Sequence, residues 1–283
     1  MKVLVAEKCG FCPGVRAAIN LAQKTLTDDD RVYSLGHIIH NEDMVNQLSE
    51  AGLSTVESIE TIDSGTVLIR SHGATLAELD QIREKGLKIV DATCVLVKRV
   101  QKIARQLNDE GYEVVMIGDE GHPEVKAVVG STDNMKVVGT PEDLDKLNLS
   151  KKLGVICQTT ESPDHFADMV AAISRKGFSE IKIINTLCRE TMDRQTAAVK
   201  LCRQVDVMFV LGGLRSANTR KLAELCKKHN QETYHLQNWA ELDKSCLSGK
   251  TMAGVTAGAS TPDDVVAEFV RNLESYEPVP EKR

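Results

Sequence analysis

The sequence predicts an α/β fold of three pseudo-symmetric parallel-sheet units arranged cyclically. Three observations lead there. Short apolar runs of strand type alternate with helical patterns along the whole chain, the signature of parallel α/β units. One module, a β-rich run followed by a polar turn, a cysteine and a helical pattern, occurs three times at near-equal intervals. The first two units end on such a strand, whereas the third ends on a helix, which leaves the N-terminal strand to close the third unit.

The module reads Lys2-Val-Leu-Val-Ala-Glu-Lys-Cys-Gly-Phe-Cys12, then Lys88-Ile-Val-Asp-Ala-Thr-Cys94, then Lys182-Ile-Ile-Asn-Thr-Leu-Cys188. Helical patterns follow over 13–24, 95–107 and 190–203, and Pro13 suits a first helical turn. Further strands are expected at 31–35, 67–69, 113–117, 153–157, 207–211 and 252–256. Further helices are expected at 42–51, 76–85, 164–175, 217–229 and 263–273. The expected units are therefore 13–94, 95–188 and 189–275, the last closed by strand 1–12. Segment 276–283 is Pro- and charge-rich and reads as a loose tail.

Composition narrows the function. The 283 residues carry a net charge of −6 and no long basic run, which argues against a nucleic-acid groove. The N-terminal apolar stretch is too short for a secretory signal. No apolar run approaches the roughly 18–20 residues of a membrane span. A cytoplasmic protein is expected, and its eight cysteines are then expected as thiols, buried or metal-binding, rather than as disulfides.

In open parallel sheets ligands bind beyond the carboxyl ends of the strands. The residues there are Gly36-His-Ile-Ile-His40-Asn41 and Arg70-Ser-His72-Gly in the first unit. The second offers Gly118-Asp-Glu-Gly-His122-Pro-Glu124 and Gln158-Thr159-Thr160. The third offers Gly212-Gly-Leu-Arg-Ser216-Ala-Asn218 and Ala257-Gly-Ala-Ser260. His, Ser and Asn donors of this kind suit a phosphate or diphosphate, and Glu124, read as part of a Gly-rich turn, suits proton delivery. Gly212-Gly213 lacks a Walker Lys-Ser/Thr ending, so no nucleotide is indicated. His165, His229 and His235 fall inside helix or strand patterns and read as structural. So do Cys157, Cys202, Cys226 and Cys246, as core or helix-face residues.

Cys12, Cys94 and Cys188 share one place in the repeat. Three thiolates suit an iron–sulfur cluster with one iron left open at the centre of the cyclic arrangement. Two other readings stand beside it: zinc in a Cys₃His site, and a thioredoxin-type pair in Cys9-Gly-Phe-Cys12.

These motifs resemble those of the 4-hydroxy-3-methylbut-2-enyl diphosphate reductases. The carriers are Gly10-Phe-Cys12-Pro-Gly-Val, Ile38-Ile-His40-Asn, Ser71-His72-Gly, Asp91-Ala-Thr-Cys94 and Gly121-His122-Pro-Glu124-Val. They continue with Gln158-Thr159-Thr160, Cys188 with Arg194-Gln195, Ser216-x-Asn218 and Gly254-Val-Thr-Ala-Gly-Ala-Ser260. The resemblance implies one [4Fe–4S] cluster on Cys12, Cys94 and Cys188 with an open iron for the substrate hydroxyl. It implies single electrons from ferredoxin or flavodoxin, and reductive loss of that hydroxyl as the last step of the methylerythritol phosphate isoprenoid pathway. It implies Glu124 as proton donor or relay with Thr159 and His122 beside the substrate, and a diphosphate held by His40, His72, Ser216, Asn218 and Ser260.

The chain departs from the family pattern in several places. Ala217 stands where a second Ser is usual, and one hydrogen bond to a charged group contributes about 1.5–3 kcal/mol. Val95 replaces Pro, Arg189-Glu190-Thr191 replaces an Ala-Thr flank, His37 replaces Pro and Ala127 replaces Gly. The alternative is therefore a paralogous cluster protein of the same fold, acting on another diphosphate or as a non-catalytic sensor.

Overall fold

A computed structural model describes residues 1–39, 41–214 and 216–276. His40 and most of the expected tail lie outside the described residues.

In chain order the elements are β1 (Lys2–Val5), α1 (Pro13–Asp28), β2 (Val32–Leu35), α2 (Glu42–Glu50), β3 (Leu53–Val56), β4 (Thr66–Ile69), α3 (Leu76–Glu84) and β5 (Lys88–Asp91). There follow α4 (Val95–Asp109), β6 (Glu113–Ile117), α5 (Pro123–Val129), β7 (Met135–Val138), α6 (Asp143–Lys146), β8 (Lys152–Cys157), α7 (Pro163–Ser174) and β9 (Glu180–Ile183). The last third holds α8 (Arg189–Cys202), β10 (Val207–Leu211), α9 (Ala217–His229), β11 (Thr233–Leu236), β12 (Met252–Ala257) and α10 (Asp263–Ser275).

The strands form three four-stranded sheets, β3-β2-β4-β5, β7-β6-β8-β9 and β11-β10-β12-β1. All pairings are parallel. Each sheet has the same order, an outer strand, two central strands and the strand that leads to a cysteine. The N-terminal β1 supplies that last strand to the third sheet, with Lys2 opposite Met252 and Val5 opposite Val255.

The central strands β6 and β10 are buried along their whole length, as parallel strands covered on both faces must be. In the third sheet Val207, Phe209, Leu211, Ala253 and Val255 pack under Val266, Phe269 and Leu273 of α10. Met208 and Val210 face Ala198 and Leu201 of α8 and Leu222 and Ala223 of α9. In the second sheet Val114, Met116 and Ile156 meet Val97, Val100, Ala104 and Leu107 of α4.

The pseudo-symmetry reaches individual bonds. Gly36, Gly118 and Gly212 each follow the first central strand of their sheet. Their N–H groups donate to the last carbonyl of the outer strand: Val56 at 2.9 Å, Val138 at 3.0 Å and Leu236 at 2.9 Å.

By packing, the chain divides into two compact units. One holds Ala17–Ile38 and Gln47–Cys188, with the first two sheets; the other holds Met1–Arg16, Ile39–Asn46 and the chain from Arg189 onward, with the third. Within the former, the first two sheets' connections interlock. Leu76 N–H donates to Gly130 O (3.1 Å), and Gln101 Nε2 donates to Ala127 O (3.1 Å).

Two features escape the sequence pattern. The outer strands β3, β7 and β11 are only four residues long and partly exposed, so they offer no apolar run to read. The segment holding Glu124 is not a turn but the start of α5, with His122 as N-cap and Pro123 in the first turn. The glycines of Gly118–Gly121 mask that start.

Gly154 and Gly254 occupy the same place, third in β8 and β12. A Cβ on Gly154 would stand 3.0 Å from Leu107 of α4, and one on Gly254 would stand 2.7 Å from Met208 Sδ, 2.9 Å from Val205 and 3.1 Å from Leu201 of α8. These glycines let the helix that follows each cysteine sit close on its sheet. Gly254→Val should therefore lower unfolding free energy by about 1–3 kcal/mol through overpacking. The measurement is a shift of the denaturation midpoint at unchanged slope; an unshifted midpoint would contradict the close approach.

Candidate active site

Each of the three repeat cysteines is pinned by its own backbone. The Cys94 N–H donates to Ser71 O (2.9 Å), the Cys188 N–H to Thr159 O (2.7 Å) and the Cys12 N–H to Ala259 O (3.0 Å). Each acceptor lies two residues beyond the neighbouring central strand, β4, β8 or β12. The cysteine thus stands where its strand has ended and its helix begins, at the carboxyl edge of the sheet. Among the described residues none of the three is in a disulfide, and all three are half-buried.

The sulfurs of Cys12 and Cys94 meet helix N-terminal donors. Val15 N–H points to Cys12 Sγ at 3.4 Å. Cys94 is the N-cap of α4, and the N–H groups of Leu96 and Val97 bond its sulfur. The Cys94 pKa lies above its ordinary value: burial raises it most, those N–H groups lower it in part, and the nearby Cys188 and Glu124 raise it further. N–H donors of this kind suit a sulfur carrying thiolate charge, so the donor set fits an iron–sulfur cluster. Among the described residues no set of three His, Cys, Asp or Glu side chains closes around a single metal ion.

Cys9 differs. Burial pushes its thiol up to about 11, against the pull of Arg194. A thioredoxin-type nucleophile needs the opposite shift, so Cys9 is not tuned as one.

In the unit that holds the first two sheets, Glu124 is 2 % exposed. Thr159 grips both oxygens of its carboxyl: the Thr159 N–H donates to Oε1 and the hydroxyl to Oε2, each at 2.7 Å. Thr159 O in turn receives the Cys188 N–H, so one residue ties the carboxyl to a repeat cysteine. Burial raises the Glu124 pKa above the ordinary carboxyl range, with the two Thr159 bonds opposing it. The Glu124 N–H donates to His122 Nδ1 (3.1 Å). Nδ1 therefore carries no proton, and the neutral ring carries it on Nε2 as a donor. The His72 ring meets the His122 ring edge-on, centroids 5.6 Å apart. Ala127, the residue in place of a family Gly, is buried beneath this turn, its Cβ 3.3 Å from where one on Gly73 would stand.

In the other unit, Ser216 is the N-cap of α9 and accepts the Thr219 N–H (3.3 Å) and the Thr219 hydroxyl (3.0 Å). Asn218 lies in the first turn of α9, and Ser260 follows the adjacent β12. The two connections touch so closely that a Cβ on Gly258 would fall 2.1 Å from Thr219 Oγ1. Of the candidates, Cys94, Cys188, His72, His122, Glu124 and Thr159 belong to one unit, and Cys12, Ser216, Asn218 and Ser260 to the other.

Arg194 is the residue whose weight the sequence reading missed. It is 2 % exposed, donates to Ala257 O at 2.7 Å and reaches Glu190 at 3.5 Å. It thereby holds the end of β12, from which Ala259 receives the Cys12 N–H. A signal was present: Arg194 shares the buried face of α8 with Thr191, Ala198 and Leu201, where an apolar residue is expected. Glu190, part of the altered flank after Cys188, also pairs with Lys8 (3.1 Å).

With this geometry in place, the chain was compared with known proteins. The family model described as LytB protein matches residues 3–274. The chain belongs to the LytB family. A relative named 4-hydroxy-3-methylbut-2-enyl diphosphate reductase, from Trichlorobacter lovleyi, is 41 % identical over 275 residues, which is 97 % of this chain and 98 % of that protein. A solved (E)-4-hydroxy-3-methyl-but-2-enyl diphosphate reductase, described as the terminal enzyme of the non-mevalonate pathway, is 38 % identical with a TM-score of 0.76. The match covers 98 % of this chain and 100 % of that one. The E-1-hydroxy-2-methyl-but-2-enyl-4-diphosphate reductase of Plasmodium falciparum is 27 % identical with a TM-score of 0.89, covering 100 % of this chain and 95 % of that one. Like these relatives, this LytB chain is an α/β protein. No helix among its described residues is long and apolar enough to cross a membrane.

The raised pKa of Glu124 has a measurable sign. A carboxyl raised in the folded state supports folding below the ordinary carboxyl range, and that support is lost as pH rises through the raised value. Glu124→Gln removes this dependence. The stability of the wild type relative to the Gln variant should fall as pH rises above the ordinary carboxyl range. Denaturation at a series of pH values checks it, and parallel curves would contradict the raised pKa.

Proposed function

We propose that this LytB chain is a 4-hydroxy-3-methylbut-2-enyl diphosphate reductase, a cytoplasmic enzyme of the last step of the methylerythritol phosphate route. The allylic alcohol R–OH takes up two electrons and two protons, loses water and becomes R–H, as isopentenyl and dimethylallyl diphosphates. Family membership over nearly the whole chain supports the substrate. The observation that carries the chemistry is the buried Glu124 carboxyl clasped by Thr159 and joined through it to Cys188.

Cys12, Cys94 and Cys188 are the ligands of a [4Fe–4S] cluster, which when bound supplies single-electron transfer and one open iron as a Lewis acid. The three segments 13–94, 95–188 and 189–275 with 1–12 act as three copies of one ligand-presenting unit. Their equivalence rests on the shared N–H to carbonyl bond. Glu124, whose pKa burial raises, holds the proton delivered when the hydroxyl leaves as water. Thr159 orients that carboxyl through both oxygens. His122, with its proton on Nε2, donates toward the substrate. His72, His40, Ser216, Asn218 and Ser260 bind the diphosphate, Ser216 and Asn218 at a helix N-terminus suited to an anion. Electrons arrive singly from a ferredoxin or flavodoxin.

Protein kept anaerobic throughout should contain four irons and four acid-labile sulfides per chain and reduce the hydroxylated diphosphate with a strong chemical reductant. Ser variants at Cys12, Cys94 or Cys188 should lose sulfide. Glu124→Ala should retain the cluster while turnover falls by roughly 10²–10⁴-fold. Full cluster content without turnover in the wild type would refute the substrate assignment, and full turnover by Glu124→Ala would refute the proton donor.

A further inference from the structure

Of the three helices that start at the repeat cysteines, α4 differs in charge. Its exposed positions 95, 98, 99, 102, 105, 106 and 109 fall on one stripe by the i, i+3, i+4 rule, which ends on Asp109. Four of them are Lys98, Arg99, Lys102 and Arg105, and α4 carries no acidic residue before Asp109. In α1 and α8, by contrast, basic and acidic residues mix, and Arg16 of α1 is paired with Asp263 at 2.8 Å. The stripe stands on a chain of net charge −6, so it is a local feature. Lys98 pairs with Asp91 (2.7 Å). Arg99, Lys102 and Arg105 enter no ion pair among the described residues. At 1.5 Å per residue the basic stretch runs about 10 Å along the helix. Its Cys94 end is also the positive end of the helix dipole.

At that end sits Val95, next to Cys94. It is 76 % exposed, more than any other exposed large apolar side chain described. An apolar tip beside a cluster ligand, flanked by unpaired cations, has the pattern of a small docking surface: charge steers the encounter and the apolar contact excludes water at the centre.

We propose that the exposed face of α4, Val95 with Arg99, Lys102 and Arg105, docks an acidic one-electron carrier protein that passes electrons in beside Cys94. This rests on the reductase reading above and names the partner surface of that site. Each encounter oxidises the carrier by one electron and reduces the cluster by one. Two encounters supply the two electrons that, with two protons, convert R–OH to R–H and water. The occupant follows from charge complementarity.

The experiment uses anaerobic holoenzyme and a small acidic ferredoxin as the probe. Binding is measured by calorimetry at several salt concentrations. The Arg99→Glu/Lys102→Glu/Arg105→Glu variant should bind the ferredoxin about tenfold or more weakly and lose most of the salt dependence. Turnover driven by dithionite and methyl viologen should stay unchanged. Reversal of Lys227 and Lys228, in the last turn of α9, is the control and should leave affinity nearly unchanged. A triple Gln variant replaces the Glu variant if charge reversal impairs folding. Unchanged ferredoxin affinity in the α4 variant, or equal weakening by the α9 control, overturns the proposal. So does a short DNA duplex that binds as tightly as the ferredoxin and is lost with the same three residues. Absence of viologen-driven turnover in the wild type would instead refute the reductase reading, a result distinguishable from any change in ferredoxin affinity.

Discussion

Three backbone hydrogen bonds hold the functional parts of this chain in register. The N–H of Cys12, Cys94 and Cys188 each donates to a carbonyl two residues past the neighbouring central strand. A buried N–H must find an acceptor, and here the acceptor is the loop that also carries the candidate site residues. Ser71 precedes His72, Thr159 clasps Glu124, and Ala259 precedes Ser260. The bond that satisfies the cysteine therefore also places a candidate substrate group beside it. Arg194 extends the same logic, because its buried guanidinium holds the carbonyl at the end of β12.

The sheets explain why the bonds can repeat. Each sheet orders its strands so that the chain reverses direction of travel between its two central strands, the switch point at which loops diverge and leave a crevice. Gly36, Gly118 and Gly212 close the outer side of that crevice with one equivalent bond apiece. Gly154 and Gly254 let α4 and α8 settle closely, so that the cysteine at each helix start meets the adjacent loop. The first sheet uses Thr66 at the corresponding place in β4 and lacks this device.

Electrostatics divides the labour within the larger unit. Burial raises the Glu124 pKa, while N–H donors at the start of α4 oppose the same effect of burial on Cys94. The two groups are neighbours with opposite needs. Farther along α4, outside this desolvated zone, charge becomes exposed and wholly basic up to Arg105. The same helix thus presents its N-terminal dipole to a cysteine and its cations to solvent.

The long buried strands and the cysteine modules were legible in the sequence because their information is local: Val207–Leu211 is a continuous apolar run, and the Lys-to-Cys module repeats as text. The departure of β1 into the third sheet was legible by counting, since one unit lacked a strand. The outer strands and α5 were not. Four residues half-covered by neighbours carry no period to detect, and glycines ahead of Pro123 look like a turn until His122 caps the helix. The sequence by itself determined which residue types stand at the strand ends, and with them the family and its chemistry. Only the tertiary structure decided that Glu124 is raised by burial and gripped by Thr159, that Arg194 is an interior cation, and that Val95 with its basic stripe faces solvent. Burial and hydrogen bonding join residues far apart in the chain, so no local pattern can carry them.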